Sequence, residues 1–486
     1  MSPLDTLIIA PLAFALASLG MGRRGAWLIV IAAPVMIALA VWLCAQVWAA
    51  PVGHSVGGWA PPLGIAIRAD GLSAAFMLAT AVAAGLIGLF ALDEFAPPKD
   101  GETARSHTFW PLLYLLWAAV NAIFASADLF NLYVALELLT IAAVALAGFG
   151  ALKAALRYFM VALLGSLSYL LGAVLIYAAY GTLDMGLLAQ RAEADLPTLL
   201  AAGFITAGLI AKTALFPLHG WLPPAHGSAP APASALLSAL VVKASFFILL
   251  RFWFDAMPGI SGPELAHLLG ALGAAAVIYG SVQAIRQTEL KPLVAYSTVA
   301  QLGYLFLVFP LAGAADEAAP WAAGAWSGGV LHALSHLFAK AAMFLAAGLM
   351  LRAAATKTIG GLEGLARAMP VTVFAFAVSA VSLMALPPSG GFMAKYLLLT
   401  SALAAGAWIY AAVMIAGGLL AAVYLFRPLA RAFAGKETPV IVPTPRWLAA
   451  IPLALALLAS ALGLASAGPY AFIQAGAPLA AEEGLK

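Results

Sequence analysis

The chain has 486 residues, of which 64% are hydrophobic and 9% charged, and its formal net charge is +3. A soluble domain carries about 25% charged residues. This composition therefore excludes a soluble globular protein, a disordered chain and a nucleic-acid binder, and the charge is too small to call for a polyanionic partner. The single cysteine, Cys44, excludes an internal disulfide, a Cys-based zinc site and iron–sulfur ligation.

A membrane span takes ~20 apolar residues. The apolar runs here are continuous rather than alternating, so they predict helices and not a barrel. In chain order, fourteen spans are predicted, at residues 4–20, 26–48, 72–92, 110–126, 129–149, 158–180, 197–217, 232–253, 264–284, 292–311, 326–351, 370–399, 404–426 and 447–468. The N-terminus places Asp5 where a signal peptide would be basic, so 4–20 reads as the first span of the mature chain. Two spans are predicted to be broken, one at Phe216-Pro217-Leu218-His219-Gly220-Trp221-Leu222-Pro223-Pro224 and one at Leu386-Pro387-Pro388-Ser389-Gly390-Gly391. Proline removes a backbone donor and clashes with the preceding turn.

The expected fold is an all-α polytopic membrane protein with about fourteen transmembrane helices and two inverted five-helix repeats, each containing a broken helix. The division expected is an N-terminal three-helix segment (1–109), a first repeat (110–256), a second repeat (257–430), and a C-terminal helix with a short tail (431–486). In each repeat the fourth helix is interrupted and carries a lysine near the break, Lys212 or Lys395. Five is odd, so the repeats run with opposite topology, a pattern of ion and substrate transporters. Loop charges support the count, because cytoplasmic loops are rich in Lys and Arg. With both termini outside, fifteen of the 23 Lys and Arg residues fall on the inner side and four, Arg68, Arg191, Arg251 and Lys486, on the outer.

That leaves Lys212, Lys243, Lys340 and Lys395 inside apolar spans, together with one acid, Glu137. An ion near the bilayer centre costs at least ~2.5–3.5 kcal/mol on insertion scales, so charge handling is the default reading. Glu137 is a candidate proton-loading site, because a lysine that comes and goes would change its proton affinity; the plainer alternative is a structural Glu bonded to a carbonyl or a serine. Lys212 could release its proton at an unwound turn, or snorkel to the interface. Lys243 is too deep in its span to snorkel easily. Lys395 is the candidate exit gate, or else a structural lysine capping carbonyls freed by Pro387 and Pro388. His332, His336 and Lys340 fall at i, i+4 and i+8, on one helix face. Such a row can act as a proton wire. As a zinc site it lacks a third ligand. His219 and His226 flank the first break as relays or as fasteners. Asp128 and Asn131 read as a helix N-cap.

Two long stretches then resemble one family. The first is Lys212-Thr213-Ala214-Leu215-Phe216-Pro217-Leu218-His219-Gly220-Trp221-Leu222-Pro223-Pro224-Ala225-His226, continuing through Ala229-Pro230, Ser234-Ala235-Leu236-Leu237 and Lys243. The second is Glu289-Leu290-Lys291-Pro292-Leu293-Val294-Ala295-Tyr296-Ser297-Thr298-Val299-Ala300-Gln301-Leu302-Gly303-Tyr304. With the mid-membrane Glu and the lysine row, they resemble the antiporter-like subunits shared by respiratory complex I, membrane-bound hydrogenases and Mrp cation/proton antiporters, the Mrp D-type subunit among them. The resemblance covers nearly the whole chain. It implies that Glu137 is the loading glutamate, Lys212 its paired lysine, Lys243 the central lysine and Lys395 the exit lysine, with His332, His336 and Lys340 as the His/His/Lys row of some members. His219 and His226 look more like complex I and hydrogenase members than the Mrp D-type subunit. With 18 residues after the last predicted span, the long lateral helix of the largest complex I member is not expected.

Three functions remain open from the sequence. One is a proton-translocating subunit of a multi-subunit complex, driven by redox chemistry elsewhere or exchanging protons for Na⁺. A second is a stand-alone cation/proton antiporter, and a third is a non-conducting scaffold for an inorganic-carbon uptake partner. The chain carries no haem, flavin, nicotinamide or iron–sulfur motif, so no cofactor is expected, and no redox or hydrolytic centre. Expected partners are other membrane subunits, protons or Na⁺, and the lipid bilayer of a bacterial or archaeal cytoplasmic membrane.

Overall fold

The structure is a computed structural model and describes residues 2–97, 103–260, 262–313, 319–435, 442 and 444–475. Lys99, Lys436 and Lys486, which enter the loop-charge count, lie outside the described residues. Among the described residues, thirteen helices are long and apolar enough to cross a membrane. The twelfth expected span, 370–399, is two short helices of 15 residues each. The chain is a multi-pass membrane protein.

In chain order the helices begin with α1 (Pro3–Gly20) and α2 (Ile29–Ala49). An antiparallel hairpin follows, β1 (Val52–Ser55) and β2 (Ala66–Ala69), with Val52 opposite Ala69. No strand is predicted there from the sequence. Then come α3 (Gly71–Phe95), α4 (Ala104–Ala125), α5 (Leu129–Gly148), α6 (Leu152–Tyr180), the short α7 (Met185–Arg191) and α8 (Leu196–Thr213). Past the first break lie α9 (Leu222–Ser228) and α10 (Ala231–Leu236), which runs through a π turn at Leu237–Val241 into α11 (Val242–Leu250) and a second π turn at Arg251–Ala256. The remainder is α12 (Pro263–Arg286), α13 (Leu290–Phe306), α14 (Ala322–Ala353), α15 (Leu365–Ala368), α16 (Pro370–Met384), α17 (Gly390–Ala404), α18 (Trp408–Phe433), α19 (Arg446–Leu464) and α20 (Ala467–Gln474).

The chain divides into two compact units. The first holds Met1–Thr213, Leu240–Ala266 and a C-terminal piece from Ala471; the second holds Ala214–Ala239 and His267–Tyr470. In the first, α6 packs on α8 through small residues. A Cβ on Gly208 would lie 2.3 Å from the Gly165 carbonyl oxygen, and a Cβ on Gly172 would lie 2.5 Å from that of Ala201. Small residues let backbones approach where lipid gives no hydrophobic drive between helices. In the second unit, α14 is buried along most of its length, packed by α13, α16, α17 and α19.

Both predicted breaks are present and share one local geometry. Ala214 and Ala385 each adopt a left-handed backbone, with φ of 59° and 62°, and each lies three residues before a cis-bonded proline, Pro217 and Pro388. The left-handed region is costly for a residue with a Cβ. Here it turns the chain out of the helix. Ser389 restarts the second broken helix as an N-cap, accepting from Phe392 N–H at 3.1 Å. Asp128 is likewise the N-cap of α5, accepting from Asn131 N–H at 2.8 Å.

Candidate functional site

In the first unit, Glu137 projects from the middle of α5 and Lys212 from the last turn of α8. The Lys212 ammonium lies 3.3 Å from Glu137 Oε1 and donates to Thr140 Oγ1 at 2.7 Å. Thr140 is one turn beyond Glu137 on the same face. Ser166 of α6 also donates to Glu137 Oε1. Glu137 thus has both a serine bond and a lysine partner. Lys212 does not snorkel: its side chain is 5% exposed and Glu137's 29%. The close approach of α6 to α8 fixes this pair, since a Cβ on Gly165 would stand 3.4 Å from Lys212 Cγ. Lys243 is fully buried in α11, immediately after the π turn. A π turn is a frequent feature of functional sites.

The first unit also holds an ionic cluster that the loop count misplaced. Arg251, expected in an outer loop, is buried in the π turn that follows α11. It pairs with Asp70 and with Asp255 (2.6 Å), donates to Ser73 Oγ at 3.0 Å, and lies over the Phe247 ring. Arg68 reaches Asp255 from β2 at 3.1 Å. Asp70 also caps α3, accepting from Ser73 N–H at 3.0 Å. Burial raises the Asp70 carboxyl, but the Arg251 guanidinium, the Ser73 N–H and the Arg68 charge together hold it below the usual carboxylate range. A loop count cannot distinguish such an arginine, because its acidic partners lie 181 and 4 residues away.

In the second unit, His332, His336 and Lys340 all point into buried protein rather than lipid. The two imidazole rings lie 5.9 Å apart, close to the ~6 Å that four residues of helix span. His332 Nε2 is 3.1 Å from the Gln301 carbonyl oxygen. The Lys340 ammonium donates to the Val294 carbonyl at 3.0 Å and to Ser297 Oγ. Lys395, on α17, donates to the Leu383 carbonyl at 3.0 Å and lies 3.8 Å from the centre of the Tyr304 ring. It thus caps a carbonyl at the break, as the structural alternative for it expected, and also lies within electrostatic reach of Lys340. His219 packs against Phe216 and Tyr279, and His226 stacks on Phe344 of α14.

The sequence reading missed Thr140, Ser166, Ser297, Gln301 and Tyr304. The last three lie at i, i+4 and i+7 of α13, on one face of the helix. That spacing was legible within the second quoted stretch.

The family described as "NADH:quinone oxidoreductase/Mrp antiporter, TM" matches residues 126–421, more than half the chain. The chain belongs to that family. Among its relatives, NADH-quinone oxidoreductase subunit N of Desulforudis audaxviator is 36% identical over 431 residues, covering 85% of this chain and 83% of that one. The D-type Na(+)/H(+) antiporter subunit of Alkalihalophilus pseudofirmus is 29% identical, covering 79% and 76%. A chain of the Mrp complex from Dietzia sp. DQ12-45-1b superposes with a TM-score of 0.88 at 25% identity, covering 99% of this chain and 96% of that one. A chain of respiratory complex I from Thermus thermophilus does so at 0.75 and 27% identity, covering 96% and 98%. The matched residues include both broken helices and every buried charge described above from Glu137 to Lys395.

Proposed function

We propose that the chain is a proton-translocating subunit of a multi-subunit membrane complex, working through Glu137, Lys212, Lys243, Lys340 and Lys395, with His332 and His336 between the last two. The observation that carries this reading is the Glu137–Lys212 contact at 3.3 Å inside membrane-spanning helices. A carboxylate whose ammonium partner can leave has two proton affinities, as a loading site requires. The named relatives of two kinds, quinone oxidoreductase and Na⁺/H⁺ antiporter subunits, support neighbouring membrane subunits as partners and leave Na⁺ as an exchange ion to be tested. His219 and His226 would relay protons or fasten the first break. Residues 110–256 and 257–430 would be the two inverted repeats, a reading supported by the shared geometry at Ala214 and Ala385. Both termini would face outward in a bacterial or archaeal cytoplasmic membrane.

The test is Lys243→Met in inverted native vesicles. Methionine keeps most of the stem volume, so packing loss is small. Proton uptake should vanish while the chain still inserts and co-purifies with its complex. Uptake at the normal rate in assembled variant would sink the central-relay role. The same vesicles read with a sodium probe separate proton pumping from exchange.

A further inference from the structure

Helix α16 ends at Met384, and the carbonyl of Leu383 would ordinarily accept from the N–H of residue 387. That residue is proline and has none. The Leu386 N–H is already given to the Val381 carbonyl at 3.0 Å. A buried carbonyl without a donor costs about as much as a lost hydrogen bond. Two side chains supply donors here: Gln301 Nε2 at 3.1 Å and Lys395 Nζ at 3.0 Å. A carbonyl oxygen has two lone pairs and accepts both.

We propose that Gln301 is a positioning residue for Lys395, holding the Leu383 carbonyl so that the lysine can dock on it and leave it. This rests on the reading above that Lys395 carries protons. If the lysine were the only donor, each departure would orphan a buried carbonyl, and the docked ammonium would be favoured. With the carboxamide in place, the carbonyl keeps a partner in both states. Gln301 is itself held: it is fully buried, and its own backbone carbonyl lies 3.1 Å from His332 Nε2. Tyr304, one turn on, lies beneath the ammonium and is anchored by donating to the Met414 carbonyl at 3.2 Å. So α13 supplies both the floor and the second donor of the lysine's site.

Tyr304 of α13 lies against Lys395, His332 of α14 packs on Tyr304 at 5.6 Å with His336 5.9 Å beyond it, Lys340 of α14 lies within electrostatic reach of Lys395, and Tyr424 of α18 lies close to Gln301 and Tyr304. The sequences of α16 and of the 309–313 turn contain no titratable residue, and that of α19 contains only Arg446, its first residue.

The experiment measures proton uptake against pH in native vesicles carrying Gln301→Met, with assembly checked by co-purification. Removing the second donor leaves the carbonyl to the ammonium alone, so the acid limb of the profile should move to more alkaline pH by about 0.5–1 unit. Gln301→Asn, which keeps a carboxamide one carbon shorter, should move it less, and is read in place of the methionine variant if that one does not assemble. Ser335→Ala is the control for general loosening. It removes a 2.9 Å bond to Ser382 at the same end of α16 without touching the Leu383 carbonyl, and should leave the profile in place. An unmoved profile in assembled Gln301→Met, or an equal displacement in Ser335→Ala, overturns the proposal. Wild-type vesicles that take up no more protons than vesicles lacking the chain would overturn the transport reading itself.

Discussion

Glu137 and Lys212 should cost unequal amounts to remove, and the double variant should cost less than the sum of the two. At 3.3 Å and an effective dielectric of about 20, their attraction is about 5 kcal/mol, most of it offset by desolvation. Truncating one partner exposes that desolvation. Glu137→Gln leaves an ammonium on a side chain only 5% exposed, held by the neutral Thr140 hydroxyl, and should cost about 3 kcal/mol. Lys212→Met leaves a carboxylate on a side chain 29% exposed and still bonded by Ser166, and should cost about 1 kcal/mol. The double variant buries no unpaired charge and should lie within about 1 kcal/mol of wild type. Equilibrium unfolding of the purified chain in mixed micelles reads the three values, and vesicle proton uptake reads the matching non-additivity in transport. Losses that add within about 0.5 kcal/mol, the behaviour of independent sites, or a larger loss for Lys212→Met than for Glu137→Gln, would refute the reasoning.

Gly208→Ala should destabilise by about 1–3 kcal/mol and lower proton uptake with it. Its Cβ would come 2.3 Å from the Gly165 carbonyl and so would part α6 from α8, moving Lys212 off Glu137; a thermal midpoint equal to wild type would contradict this. Arg251→Met should cost about 3–5 kcal/mol, because it strands Asp70, which is 3% exposed. The sign with pH follows from the lowered Asp70 carboxyl: its share of stability is present above about pH 4 and is lost as pH falls through the folded value. Acid titration of thermal midpoints should show that loss in wild type and not in Asp70→Asn.

Much of the fold was legible because a bilayer imposes it. Long apolar runs have no alternative to helices, so the spans, the two proline breaks, Glu137 and the four intramembrane lysines read directly from the chain. The hairpin at Val52–Ala69 did not, because its strands are four residues each and lack an apolar stripe. Arg251 did not, because burial of a charged side chain depends on partners remote in sequence. Glu137 and Lys212 are 75 residues apart, and what suggested that they share a site was the expense of each in lipid together with the family resemblance. Their hydroxyl partners carry no such expense: Thr140 and Ser166 can bond their own helix carbonyls, as serine and threonine do in any apolar helix. They became visible only once α5, α6 and α8 were packed together.

The two breaks share one geometry, yet their lysines occupy different sequence positions. With Ala214 set beside Ala385, Lys212 matches Leu383, and Thr213 matches Met384. At the first break the side chain two residues before the left-handed alanine is itself the cation, and it turns to a carboxylate on α5. At the second that position is leucine, and what it offers is its backbone oxygen, freed because Pro387 precedes Pro388. Lys395 returns from the far side of the break to that oxygen. Both cations therefore gather at the same point of one backbone geometry, but their counterparts differ in kind. A carboxylate can take the proton that its lysine gives up. A carbonyl cannot, so a proton leaving Lys395 must pass to water or to another titratable group. Under the proposed transport reading, that difference would suit the first break to loading and the second to release, and a residue that steadies the carbonyl while the lysine is away would belong to the release step.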